Sequence, residues 1–134
     1  MIEPDSELDR LAYEVIGAAI AVHRELGPGF LESIYEEALT IELTERGIPF
    51  RQQVPITIPF HGRALKTKHR LDLLVADRLV VENKAVTELT PLFESITKSY
   101  LKATGNQLGL LINFNSRILK DGIRRIVYTR PDPS

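Results

Sequence analysis

Two carboxylates and a lysine crowd residues 69–85, HRLDLLVADRLVVENKA. The alternation of apolar residues predicts two strands, Lys68–Val75 and Leu79–Ala85, around the turn Ala76–Asp77–Arg78. Side chains on a strand alternate faces. If Val75 pairs with Leu79, Asp72 faces Glu82 and Arg70 faces Lys84, on one sheet face with Leu74 and Val80. The other face collects Leu71, Leu73, Val75, Leu79 and Val81, with Asn83 its lone polar member. Opposed carboxylates repel, and burial deepens the cost. A proton, the cations Arg70 and Lys84, or a hard metal ion such as Mg²⁺ or Mn²⁺ would offset it. A purely structural arrangement is also open: a charged ladder pairing Arg70 with Glu82 and Asp72 with Lys84 on the diagonals.

A second stretch, residues 27–38, reads GPGFLESIYEEA. A Gly-Pro-Gly break precedes Glu32 and Tyr35, three apart and so on one side of a new helix. Glu32 suits a helix N-terminus through the macrodipole alone, and Tyr35 suits a packed core. Both also suit a cleft.

These groups need a scaffold, and the pattern supplies one. Ser6–Leu26 is a helix by its apolar spacing, opened by Ser6 with Asp9 as a capping box and closed at Gly27-Pro28. Phe30–Arg46 is a second helix, with Leu31, Ile34, Tyr35, Ala38, Leu39, Ile41 and Leu43 as its apolar set and Gly47 as its stop. Gln53–Phe60 alternates as a half-buried strand whose prolines suit a sheet edge, and His61-Gly62 is a turn. Thr90-Pro91 opens a third helix that ends near Thr104. Leu108–Phe114 is a continuous apolar run, expected as a central strand covered on both faces. Ile118–Lys120 is a short turn or helix, Ile123–Tyr128 a last strand, and Pro131–Ser134 a fraying tail. The order α-α-β-β-β-α-β-β, with a parallel crossover from Leu79 through Phe114, predicts an α/β (α+β) fold: a mixed sheet flanked by helices.

The 134 residues predict a single domain, 1–134, with 43% apolar and 26% charged residues. The absence of cysteine excludes disulfides, thiolate metal sites and cysteine nucleophiles. The acidic N-terminus is unlike a signal or transit peptide, and the longest apolar run, Val15–Val22, is too short to cross a bilayer. A cytoplasmic protein with no membrane partner is expected. Residues 1–50 carry 3 basic and 11 acidic side chains; residues 51–134 carry 14 and 7. Such a division allows the halves to pair with each other, or one face to meet a polyanion. His23, His61 and His69 are scattered, and no Gly-rich phosphate loop or serine–histidine–acid set is evident.

Asp72 followed by Glu82-Asn83-Lys84 resembles the D…(D/E)-x-K signature of the PD-(D/E)XK nuclease superfamily. Gly29-x-x-Glu32-x-x-Tyr35, the stretch Tyr100–Gly105, the strand Gly109–Phe114 and the closing Ile123–Val127 resemble the GxxExxY family within it, a bacterial and archaeal group. The likeness spans roughly residues 8 to 128. It implies a restriction-endonuclease-like core and a metal-dependent nuclease that hydrolyses phosphodiester bonds in DNA or RNA. Glu32, Asp72, Glu82 and Lys84 would be catalytic. Asp72, Glu82, the carbonyl of Asn83, and Glu32 would hold Mg²⁺ or Mn²⁺. Tyr35, Lys66, Lys68, Arg70, Tyr100 and Lys102 would meet nucleic acid, and a homodimer is in keeping with the superfamily. Three positions depart from relatives: Leu71 replaces proline, Asn83 replaces an apolar residue, and Ile96 stands where a glutamine is common. These leave a second function class, a weak or inactive nuclease-fold module that binds nucleic acid or a protein.

Overall fold

A computed structural model describes residues 3–129; the tail Pro131–Ser134 lies outside them. Helix α1 spans Ser6–Leu26. Its cap is Asp5 rather than the expected Ser6: the Asp5 carboxylate accepts the Leu8 N–H at 2.9 Å. Leu8, Ala12, Val15, Ala18, Ala19 and Val22 form its buried stripe. Gly27, at φ 70°, ends it, and the Gly27 N–H returns to the His23 carbonyl.

Helix α2 spans Glu32–Glu45 and buries Tyr35, Leu39 and Leu43, a strict four-residue spacing. Leu31, Ile34 and Ile41, expected on the same side, are exposed. Ile34 and Ile41 are seven apart, so they share a stripe of their own beside the buried one.

Five strands form one sheet in the order β1-β4-β5-β6-β7: Phe50–Ile56, His69–Val75, Leu79–Lys84, Leu108–Asn113 and Ile123–Val127. Only β5 and β6 are parallel, and helix α3, Pro91–Thr104, bridges them. The mixed sheet and flanking helices agree with the expected class. The first strand differs. It begins at Phe50 and stops at Ile56, while Pro59–Phe60 (β2) pairs with Arg63–Ala64 (β3) as a separate hairpin. Pro55 lies on the edge strand, where its missing N–H costs no ladder bond on the open side. His61 and Gly62 both have positive φ, 52° and 75°, as a tight two-residue hairpin turn requires.

Strand β6 is buried throughout, with β5 and β7 on either side; β5, not β6, is the middle strand. Apolar side chains of α1 and α2 pack with Leu73, Val75, Leu79, Val81, Leu110 and Ile112 on one sheet face. Leu101 of α3 packs with Leu71, Leu74, Val80 and Ile126 on the other. At Gly109 a Cβ would meet Leu101 at 3.3 Å and Thr97 at 3.4 Å, so this glycine admits α3 close to the sheet.

Candidate active site

Strands β4 and β5 pair as the sequence predicts, Val75 with Leu79, Leu74 with Val80, and Leu73 with Val81. Backbone pairing then stops. Beyond it the side chains bond instead: the Asp72 carboxylate accepts the Asn83 N–H at 2.8 Å, and the Glu82 carboxylate accepts the Asp72 N–H at 3.2 Å. The two strands part, and the carboxylates fill the gap between their backbones.

The break extends to the neighbouring strand. The β1–β4 register runs from Phe50↔Val75 to Ile56↔His69 but skips the step at Gln53 and Asp72. Gln53 has φ 50°, a left-handed backbone that a non-glycine residue rarely adopts. Leu71, expected beside Leu73, packs instead with Leu74 and Val80 on the α3 face. The regular alternation of β4 fails at Asp72.

Glu82 is buried, 4% exposed. Its burial first, and the Asp72 carboxylate second, push its carboxyl up to about 9. A hydrogen bond between the two carboxyls also favours the proton. Without a cation, then, the Asp72–Glu82 pair favours holding a proton between its two carboxyls. Among the described residues, no ion pair joins Arg70 to Glu82 or Asp72 to Lys84, so the charged ladder does not form.

Glu32 opens α2 at the edge of this gap. Desolvation raises its carboxyl above the ordinary range, Lys84 draws it back, and Asp72 pushes it up again. Lys84, at the end of β5, holds its Nζ 5.7 Å from the Phe93 ring centroid in the first turn of α3. Tyr100 of α3 completes the ring of neighbours; burial, then Glu82 and Asp72, raise its phenol.

Tyr35 does not reach the gap as expected for a substrate contact. It is fully buried, and its ring stacks on Phe114 with centroids 4.8 Å apart. Its hydroxyl donates to the Gly27 carbonyl at 2.5 Å and accepts the Phe30 N–H at 3.1 Å. Tyr35 therefore straps the Gly-Pro-Gly turn and sets where Glu32 begins its helix. Lys66, Lys68, Arg70 and Lys102 are all exposed; Lys102 lines a cleft with Tyr100, while Lys66 and Lys68 lie on the segment between the hairpin and β4 and do not line that cleft. Ile96 lines the same cleft.

Two residues were not singled out from sequence. Asn113 ends β6, and its side chain accepts the Val86 N–H and donates to the Val86 carbonyl, at 3.0 and 2.9 Å. It pins the chain just after Lys84. A buried asparagine closing an apolar strand was the available signal. Phe93 is the other; nothing in its spacing marked it as the seat of Lys84.

Among the described residues, no three histidine or carboxylate side chains converge in a metal-ready arrangement. The Asp72–Glu82 pair itself nonetheless fits a divalent cation. Its donors are hard oxygens, and its uncompensated negative charge is what places a proton there. A model of the PD-(D/E)XK nuclease superfamily matches residues 9–126 of the chain. No curated protein and no solved structure matches.

Proposed function

The chain belongs to the PD-(D/E)XK nuclease superfamily, and on that premise we propose that it is a divalent-metal-dependent nuclease of the GxxExxY kind, hydrolysing phosphodiester bonds. One observation carries this: two carboxylates stand in a gap between strands where neither salt bridge nor ladder accounts for them. Asp72 and Glu82 would hold Mg²⁺ or Mn²⁺, with the Asn83 carbonyl and Glu32 as further oxygen donors. When bound, the ion supplies Lewis acidity toward the phosphate and lowers the pKa of its water.

The chain's own residues do the rest. Asp72, held by the Asn83 N–H, keeps its carboxylate fixed between the strands. Lys84, seated over Phe93, presents a positive charge where a phosphate gains negative charge on the way to cleavage. Glu32, whose carboxyl is raised by burial and lowered by the Lys84 charge, would be the third carboxylate of the site. Tyr35 fixes the turn from which Glu32 projects.

The test is a calorimetric Mn²⁺ titration of the wild type beside Glu82→Ala, followed by cleavage assays on DNA and RNA. Saturable binding lost in the variant, with cleavage that stops in chelator and in Asp72→Asn, is the expected result. Metal-independent behaviour of wild type and variant alike would overturn it and leave a binding module.

A further inference from the structure

We propose that the β2–β3 hairpin is a substrate-gripping arm, and that the cleft between it and α3 takes a single-stranded nucleic acid segment rather than a duplex. This rests on the nuclease reading of the Asp72–Glu82 site and names its substrate class.

The charge pattern comes first. From Val54 to Leu71 the chain has no acidic residue, while it carries Arg63, Lys66, Lys68 and Arg70 with His61 and His69. All six are exposed, and none of the four cations has an ion-pair partner among the described residues. Three arginines outside this stretch are paired, Arg78 with Asp5, Arg125 with Asp9 and Arg51 with Asp77. The hairpin side is thus a dense, acid-free run of exposed positive charge open to phosphates.

The aromatic pattern comes second. Phe60 is 60% exposed at the hairpin end and stacks on His61, centroids 4.2 Å apart with planes within 12°. Farther in, His69 and Tyr100 face each other at 6.2 Å across the cleft. The cleft, about 750 Å³, has Ile58, Pro59 and His69 on the hairpin side and Ile96, Tyr100 and Lys102 on α3. His69 lines the cleft and opens β4, the strand that carries Asp72 three residues on, so the cleft and the carboxylates share one strand. Open aromatic faces interleaved with unpaired cations hold unstacked bases and their phosphates. In a duplex, base faces are covered by their neighbours and offer Phe60 and His61 nothing to stack on.

The experiment measures fluorescence anisotropy of the full chain, in chelator, with a single-stranded oligothymidylate of about 16 nucleotides and a blunt duplex of equal length. The single strand is expected to bind about tenfold tighter or more. Phe60→Ala with His61→Ala should lose about fivefold or more on the single strand only, and Phe60→Trp should retain binding. Lys66→Ala with Lys68→Ala should flatten the salt dependence. These side chains are exposed, so the melting temperature should hold. Equal or tighter duplex binding, or no loss in the Phe60 variants, would overturn the proposal. Cleavage by wild type, run alongside with Mn²⁺, separates the two ideas: cleavage with Phe60-independent binding sinks the arm alone, whereas Phe60-dependent binding without cleavage supports the arm and sinks the nuclease.

Discussion

At the scale of single residues, the site is a place where the protein gives up stability. Glu82 has its carboxyl raised from 4.5 to about 9. Below the unfolded value both states are protonated, and the shift has no effect on folding. Above it the unfolded chain releases a proton that the folded chain retains, so the metal-free protein loses stability as pH rises from about 4.5 toward about 9. Asp72→Asn or Glu82→Gln should therefore stabilise the metal-free protein at mildly alkaline pH by about 1–3 kcal/mol, seen as a higher melting temperature, and the gap to wild type should shrink in acid. Pre-loading with Mn²⁺ should reverse the order. Asn83 adds a second cost: its side-chain oxygen and nitrogen are buried without hydrogen-bond partners among the described residues. Asn83→Val should stabilise by about 1 kcal/mol or more in urea unfolding. Tyr35→Phe keeps the stack on Phe114 but loses both hydroxyl bonds to the Gly27–Phe30 turn. It should cost about 1–2 kcal/mol, and cleavage should fall more than that loss of folded protein explains, because Glu32 loses its anchor.

At the scale of elements, three pieces meet at one point: the N-terminus of α2, the outgoing end of β5 and the face of α3. The Asp72 carboxylate ties the end of β5 through the Asn83 N–H, and packing and backbone bonds elsewhere place the rest. Tyr35 and Phe114 place α2, Asn113 pins the chain after Lys84, and Gly109 lets α3 come close. Asn113→Ala would strand the Val86 N–H and leave its carbonyl only the longer bond from the Asn115 side chain, at 3.3 Å. It should cost about 1–3 kcal/mol and reduce cleavage without lowering single-strand affinity, since neither Asn113 nor Val86 lines the cleft. Hydrogen exchange at Val86 should rise first.

At the scale of the molecule, the acidic first 50 residues and the basic remainder are both joined and separated. They are joined where Asp5 meets Arg78 and Asp9 meets Arg125. They are separated at the hairpin, where the positive charge stays open. Arg78 beside Asp5, then the Leu8 N–H, hold the Asp5 carboxyl below the usual carboxylate range. A depressed carboxyl contributes stability above its unfolded pKa and loses it as pH falls through the folded value. Asp5→Ala should thus lower the melting temperature at neutral pH, and the difference should fade in acid below the ordinary carboxylate pKa. Of the described residues, no helix is long and apolar enough to cross a membrane.

The sequence by itself determined the helices, the two strands that carry Asp72 and Glu82, and the register of the hairpin they form. Apolar period and turn chemistry are local, and Val75 opposite Leu79 follows from a short turn. That was enough to bring Asp72 against Glu82. Only the tertiary structure decided the rest. Parity arithmetic assumes an unbroken strand, so it could not show that β4 departs from alternation at Asp72, that Leu71 turns to the α3 face, or that backbone pairing gives way to carboxylate–amide bonds. Gln53, distant in sequence and directly across from Asp72, shares that break. Tyr35 looked equally suited to cleft and core, and packing against Phe114, 79 positions later in the chain, settled it in favour of the core. The separate β2–β3 hairpin was read as the end of a longer strand, because Pro59 and Phe60 continue its alternation. A strand's continuity depends on having a neighbour to pair with, and β4 begins at His69 opposite Ile56, leaving no partner for the residues beyond.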